Sequence, residues 1–582
     1  MSRYQMAGLI ISTVLLEVPA QAQECLNTEY GWTRSTGGAE FEDAIGVALD
    51  SDGNIYTVGQ FSSRVDFNPR EGANDFRRSR GEGDVYLTTC DPEGKYRWTR
   101  TFGGRESEGA EKVVVSKDGD VFVSGSFQSA VDFDPSESKD RHRANGYADA
   151  FVTASHEDGS YAWTYAVGGD GVTWAWPIAT DQQSRVVVGG VFSSDTDFDP
   201  GPGEDIRFVH TDGQPGYYDF FVVQLESKGA YRWVYSAGGI RSDWAFGIAT
   251  DSAGDVVVVG KFSETVDFDE RGAGDVRVSH GEDDVFITKL TSDGEYLWTH
   301  TFGGIWPDSA RAVAIDASGV IWVAGYFSGE VDFDEFGGGD IRTSQGAWDT
   351  FITRLAPDGT YLGTTTFGGP DGVVAGAGIA LDADRVVVVG NFGGTVDFDP
   401  ADGLDVHTSY GDREAFVFHM TTQGQYLKTD TMGGTLFDRA NDVAISNDGD
   451  IAVVGDYDSA DMDFDPGFGE DLYSSNGQAD FFVTQFYCGD CTEVNRHDLR
   501  IRDTTLISTV YTSMRQGRVK VRCEGPDGSL TQTRRTDGDG VVKFAFENLV
   551  PGEYTCEILR VQDRRGNVAC EGPFSERHAI VE

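Results

Sequence analysis

The chain is poor in cysteine, proline, histidine and lysine. Its 582 residues include 7 Cys, 16 Pro and 9 His, and 10 of its 46 basic residues are lysines. So few cysteines exclude a disulfide-dense mini-protein scaffold. Beyond the N-terminus no segment reaches ~18 apolar residues, so no membrane-spanning helix is expected. Helical periodicity is absent throughout, which excludes a helical bundle or solenoid. Positive charge is scarce as well: 96 acids give a formal charge of −50. Phosphates would be repelled, which excludes nucleic acid and anionic lipid as partners. Neither G-x-S-x-G nor H-E-x-x-H occurs, so the familiar hydrolase and zinc-protease motifs are missing. A pair of carboxylates at glycosidase spacing stays open as a route to catalysis.

What is present begins with an address. Residues 1–22 read as a secretory signal: Arg3, an apolar stretch from Met6 to Leu16, then Ala20-Gln21-Ala22 as the cleavage site. Gln23-Glu24 before Cys25 are not the small residues of a lipoprotein signal. Export to a secreted or cell-surface location is expected, where disulfides are permitted.

Glycine is abundant, at 75 residues, and much of it is periodic. A Gly-Gly pair starts at 37, 103, 168, 238, 303, 368 and 433. Asp-Phe-Asp, or Asp-Phe-Asn in the first copy, starts at 66, 132, 197, 267, 332, 397 and 463. Both landmarks recur every 65 or 66 residues, with one step of 70. Within the fourth copy, Ala245 to Asp251 alternates as a strand and Asp255 to Phe262 is a β-branched run. Asp284 to Leu290 is a third strand, Ser292-Asp293-Gly294 a turn, and Tyr296 to Phe302 a fourth strand. Four antiparallel strands repeated seven times predict a seven-bladed β-propeller.

The last copy ends after its third strand, while Tyr30 to Thr36 precedes the first Gly-Gly and matches a fourth strand. The N-terminal strand is therefore expected to complete the seventh blade, a Velcro closure that removes two open sheet edges. Cys25 precedes that strand, and Cys488 and Cys491 follow its partner, so a disulfide from Cys25 to one of them would lock the ring. A redox pair or half a zinc site is the alternative for Cys488 and Cys491.

The unit GG…A-x-x-I-A-x-D-x-x-G-x-V-x-V-x-G-x-F…VDFDP…D-x-F-V-T-x-L…DG-x-Y-x-W-T resembles the bacterial SBBP-type β-propeller repeat of exported proteins, over residues 30–487. The resemblance implies the fold and leaves the function open, because propellers host binding, scaffolding and catalysis alike.

Residues 492–582 differ in kind. They hold 14 bases and 14 acids, so the whole −50 belongs to residues 1–491. The pattern T-D-x-x-G…F-x-N-L-x-P-G-x-Y is similar to prealbumin-like or Cna B-type β-sandwiches, which implies an accessory module. Cys523 is expected to pair with Cys556 or Cys570. Asp537 and Asp539 read as a turn, with Ca²⁺ as the alternative. The expected organisation is a signal (1–22), a propeller (23–491) and a β-sandwich (492–582), an all-β fold.

Two sets of residues are candidates for function. The first is the acidic cassette. Its paired carboxylates are Asp132 and Asp134, Asp197 and Asp199, Asp267 and Asp269, Asp332 and Asp334, Asp397 and Asp399, and Asp463 and Asp465. A third acid follows in each copy: Asp140, Asp205, Asp275, Asp340, Asp405 and Asp471. The first copy has Asp66, Asn68 and Asp75. Clustered hard oxygen ligands suit Ca²⁺; the alternative is that these acids hold turns through backbone N–H groups. No organic cofactor is expected.

The second set lies where the chain crosses between blades, after each Gly-Gly. There the copies diverge: Glu40 to Asp43, Trp174 and Trp176, Arg241, Asp243 and Trp244, Trp306 and Asp308, Phe437 and Arg439. Aromatics among acids and arginines suit a glycan, stacking on its rings and bonding its edges; the alternative is wedge-filling between blades. The expected function is an exported, non-enzymatic binding or scaffold protein with a glycan or protein partner. A carbohydrate-active hydrolase or lyase and a purely structural envelope component are the alternatives.

Overall fold

In a computed structural model the chain is described over residues 28–488, apart from 70–73, 135, 137, 211–215, 336, 371, 400–402 and 467–470. The backbone of the strands between Val494 and Val581 is described as well. Every regular element among the described residues is a strand. The expected signal segment, with Cys25 and Cys491, lies outside the described residues.

The fourth blade illustrates how the sequence builds each sheet. Trp244–Thr250, Val256–Asp267, Val276–Leu290 and Tyr296–Phe302 form an antiparallel sheet in that order. The β-branched run of the second strand is buried on both faces, with Val256 to Val259 all at 0% exposure. Asp251 makes the first turn: its carboxylate accepts from the N–H groups of Ala253 and Asp255 at 2.9 and 3.0 Å. Gly254 then adopts φ +85°, open to glycine at little cost. Five more sheets repeat this order, with innermost strands Gly46–Leu49, Glu108–Val115, Thr173–Thr180, Ser309–Ile315 and Val373–Leu381. Each innermost strand packs against the next, and the seventh, Asp438–Ile445, against the first.

The seventh blade is closed by the chain's own beginning. Thr28–Thr36 pairs antiparallel with Asp480–Cys488, placing Thr28 opposite Cys488 and Thr36 opposite Phe481. In every blade a tyrosine at the start of the outer strand donates its hydroxyl to the third cassette acid. The pairs include Tyr96 with Asp75, Tyr231 with Asp205 (2.5 Å) and Tyr361 with Asp340 (2.6 Å). Tyr161, Tyr296 and Tyr426 bond Asp140, Asp275 and Asp405 in the same way. Tyr30 donates to Asp471, 441 residues away, and completes the set of seven. The closing strand also grips both neighbours. Trp32 donates to the Pro92 carbonyl of the first blade at 3.0 Å, and Lys428 of the sixth donates to the Thr28 carbonyl at 2.6 Å.

The wedges between blades are filled by the cassette phenylalanines. Phe67, Phe133, Phe198, Phe268, Phe333, Phe398 and Phe464 are at most 2% exposed. Each meets the aromatic ring ending its blade's second strand edge-on, at 5.3–5.6 Å between centroids. The first glycine of each Gly-Gly pair is needed for a related reason. A Cβ at Gly37, Gly103 or Gly303 would overlap the carboxylate that opens a third strand, Asp480, Asp84 or Asp284.

Residues 494–581 form two antiparallel sheets. One joins Val494–Arg502, Thr505–Thr512 and Val541–Phe546; the other joins five strands around Arg518–Gly525 and Gly552–Gln562. The register sets Cys523 opposite Cys556, and Cys570 opposite Val561. Asp537 and Asp539 lie outside the described residues.

Candidate functional site

The seven innermost strands enclose an axial cavity of about 320 Å³, to which every blade contributes. Its collar has one β-branched residue per blade: Val47, Val113, Ile178, Ile248, Val313, Ile379 and Val443. Toward the Gly-Gly crossings the innermost strands continue past this collar, and the ring of residues there, called the mouth below, follows from two backbone features. First, each second strand places a glycine beneath the innermost strand. At Gly190, Gly260 or Gly455 a Cβ would overlap the carbonyl of Trp174, Trp244 or Arg439, so the inner strand sits unusually close. Second, in six blades the ladder skips a residue just beyond this point: Glu111, Trp176 with Pro177, Phe246, Arg311, Ala377 and Asn441. A bulge leaves its residue unpaired and re-aims its side chain. The scaffold is constant here while the bulge residue changes in every blade.

The third and fourth blades supply an aromatic shelf. Trp176 stacks on Trp244 at 5.0 Å between centroids and 23° between planes, and Phe246 stacks on Trp244 at 5.8 Å. Trp174 lies 5.7 Å from Trp176 and stacks on Tyr218 at 5.8 Å. Tyr218 comes from the one loop that breaks the repeat period: Asp205 and Asp219 are fourteen positions apart, against nine in the other six copies. Arg241 pins that loop, donating to Tyr217 and pairing with Glu264 at 3.0 Å.

The opposite side of the mouth is polar. Arg439 donates to Asp456 at 2.9 Å, and Asn441 bridges Asp456 (2.7 Å) and the Ala44 carbonyl (2.9 Å). Asp43 accepts from the Gln60 N–H at 2.7 Å, and burial pushes its carboxyl up to about 7. Burial likewise pushes Glu111 up to about 7; Trp176 and the charges of Lys112 and Arg311 act in the other direction. Arg311 sits 4.1 Å above the Phe246 ring. Glu111 stands at the bulge of the second blade's innermost strand and Arg311 at that of the fifth, and Arg311 lines the axial cavity.

The candidates named from the crossings therefore divide. Trp174, Trp176 and Trp244 converge on the shelf, across the join of the third and fourth blades. Arg439 reaches the polar side, with Phe437 half-buried between Arg413 and Arg439. Trp306 is 51% exposed on the rim, away from the shelf. Asp243 and Asp308 are corrections: both are fully buried. Asp243 accepts from Gly239 and Ser263 at 2.7 and 3.0 Å, and Asp308 from Gly304 and Ser328 at 2.7 and 2.9 Å. Glu42, Glu108 and Asp438 do the same in their blades, so these acids brace the crossing. Crossing residues alone missed Glu111, Tyr218, Phe246, Arg311 and Asn441. A copy-by-copy comparison at the bulge would have flagged all but Tyr218.

The cassette carboxylates are occupied separately. In all seven copies the first acid (Asp66, Asp132, Asp197, Asp267, Asp332, Asp397, Asp463) accepts the N–H of the third at 2.8–3.1 Å. Second acids such as Asp134, Asp199, Asp269 and Asp334 accept loop N–H groups a few residues on. The third faces the tyrosine. Among the described residues no group of three acids, histidines or cysteines is placed to hold a metal. The acids with these bonds serve as turn-makers. Excess EDTA or added Ca²⁺ is accordingly expected to leave the thermal midpoint unchanged; a rise with Ca²⁺ in calorimetry would contradict this.

Two irregularities of the cassette explain each other. His210 bonds Asp219 of its own blade at 2.7 Å and Glu270 of the next at 2.9 Å. His280 does the same with Asp284 (2.9 Å) and Glu335 (3.2 Å). Glu270 and Glu335 stand where the other five copies have proline, directly after Asp-Phe-Asp in four and after Asp-Phe-Asn in the first.

The chain matches no protein-family model. An uncharacterised WD repeat-containing protein of Acanthamoeba polyphaga mimivirus is 22% identical over 530 residues, covering 77% of this chain and 37% of its own length. The chain is a β-propeller repeat protein. Regulatory protein FlaEY of Caulobacter vibrioides is 27% identical over 150 residues, 25% of this chain and 15% of that protein. The propeller chain thus spans about a third or less of these relatives. Among solved structures, a Bacteroides caccae protein of unknown function is 8% identical, covering 57% of this chain and 93% of its own, with a TM-score of 0.25. A puromycin hydrolase is 12% identical over 72% of this chain and 58% of its own, with a TM-score of 0.30. Among the described residues no helix is long and apolar enough to cross a membrane.

Proposed function

We propose that this protein is an exported, non-enzymatic binding protein that holds a glycan in the axial mouth on its crossing face. One observation carries the reading: the aromatic shelf, the varied bulge residues and the only loop that breaks the repeat period all fall at the same mouth. A sugar ring laid on Trp176 or Trp244 would leave its hydroxyl edge toward Asn441, Asp43 and Arg439. Stacking plus edge hydrogen bonds is the chemistry such a bowl offers. A protein partner gripping the exposed rim residues Ile305 and Trp306 is the second reading, supported by their 69% and 51% exposure.

In this reading the repeat is of the bacterial SBBP type and residues 492–582 are an accessory β-sandwich. A disulfide from Cys25 to Cys488 or Cys491 would secure the ring, whose closing strand sets Thr28 opposite Cys488. A glycan array tests the function. Binding without release of shorter products is expected, and Trp176→Ala should abolish it while leaving the thermal midpoint nearly unchanged. Product release would replace the binding role with a hydrolase or lyase, for which Glu111 is the acid nearest to hand. Array signal unaffected by Trp176→Ala would move the site elsewhere.

A further inference from the structure

We propose that the axial mouth selects a carboxylated sugar, a uronate, and that Arg311 is the group that binds its carboxylate. The inference rests on the axial-mouth reading above and adds the chemical class of the ligand. Arg311 turns into the axis at a bulge and makes no ion pair or hydrogen bond among the described residues. Its neighbour is the Phe246 face, 4.1 Å away. This is unusual in a propeller with 82 acids and 32 bases over residues 1–491. Arg439, across the mouth, has its carboxylate in Asp456 at 2.9 Å; Arg311 has none.

A guanidinium over an aromatic face still has N–H groups to offer, and its edge matches a carboxylate with two parallel hydrogen bonds. The geometry also sets the distance to the sugar. Phe246 is 5.9 Å from Trp176 and 5.8 Å from Trp244, so the cation lies beside the shelf rather than on it. A ring stacked on the tryptophans would carry an exocyclic carboxylate out to Arg311. Glu111 does not serve as the anion. It makes no ion pair with Arg311, and burial favours its neutral form up to about pH 7. Burial also lowers the pKa of Arg311, the mark of a desolvated cation that an incoming anion would relieve.

Neutral oligosaccharides capped by a single glucuronate, and the same oligomers methyl-esterified at that one carboxyl, share the sugar and differ by one charge, so the repulsion of a polyanion by a −50 chain does not enter. Titrated by calorimetry into the full chain, the acid form should bind about tenfold to hundredfold tighter than the ester. Arg311→Gln should erase that preference without weakening ester binding, and Arg311→Lys should restore it in part. Thermal midpoints of both variants report whether the blade is intact, and the wild-type comparison needs no variant. Equal binding of acid and ester by the wild type, or a preference that survives Arg311→Gln, overturns the uronate inference and leaves the axial glycan site standing. If neither oligomer binds, the inference also falls, and the array alone decides the wider reading.

Discussion

Deleting residues 23–36 should leave a chain that no longer folds to a stable monomer. The deletion strips the outer strand from the seventh blade and exposes the edge of Asp480–Cys488, whose residues Phe481, Phe482 and Phe486 are at most 2% exposed in the closed ring. It removes the bond from Tyr30 to Asp471, the bond from Trp32 to the first blade and the anchor for Lys428 of the sixth. An unpaired strand edge invites pairing with another chain, so aggregation is the expected failure. The smaller change Tyr30→Phe removes one hydrogen bond to a carboxylate and should cost about 1.5–3 kcal/mol. Size-exclusion chromatography and urea unfolding read both. Addition of a synthetic 23–36 peptide should recover monomer from the truncated chain; full stability without the strand would refute the closure.

The protein should be more stable at pH 5.5 than at pH 8.5. The acids that brace the crossings are buried, and desolvation dominates their titration. It lifts Glu42 and Asp308 to about 7 and Glu108 to about 8, with Asp243 and Asp438 raised as well. The folded state therefore keeps protons that the unfolded chain has released above its ordinary carboxylate range near 4. Stability from these groups is full below that range and is lost as pH rises toward 7–8, by up to about 1.4 kcal/mol per pH unit for each group in its window. His419 works against this on the acid side: burial lowers it to about 4, so its contribution is lost as pH falls below about 6.5. Glu108→Gln should raise the thermal midpoint at pH 8.5, leave it nearly unchanged at pH 5.5 and flatten the slope. Exposed Asp52→Asn should not flatten it, which separates the buried acids from the repulsion of a −50 chain. A slope unaltered by Glu108→Gln would show that these acids are ionised in the folded protein.

Much of the fold was legible because its physics is local and repeated. Two landmarks at one period fix the blade count. The tyrosine at position 30 fits the outer-strand series, so the closure follows from spacing alone. The cassette acids were legible as a repeated device but not by role, since a carboxylate that accepts a turn N–H and one that holds a cation look the same in sequence. The site was half legible. Trp174, Trp176 and Trp244 stand out as large aromatics at variable crossings. Phe246 and Arg311 do not, because they lie inside strands, where period-two alternation assigns residues to blade faces and a bulge is invisible. Asp243 and Asp308 misled for the complementary reason: adjacent to the aromatics in sequence, they point into the crossing. Tyr218 needed the longer loop to be linked to the neighbouring blade, a contact across 26 residues to Trp244.

The most direct test of the axial site uses its own chromophores. Three of the eleven tryptophans, Trp174, Trp176 and Trp244, lie on the shelf. A glycan that binds there should shift or quench the emission of the wild type, and the response should vanish in a Trp174→Leu, Trp176→Leu, Trp244→Leu variant together with the binding measured by calorimetry. Binding that persists in that variant, or that leaves the wild-type emission untouched, would place the ligand away from the axial mouth.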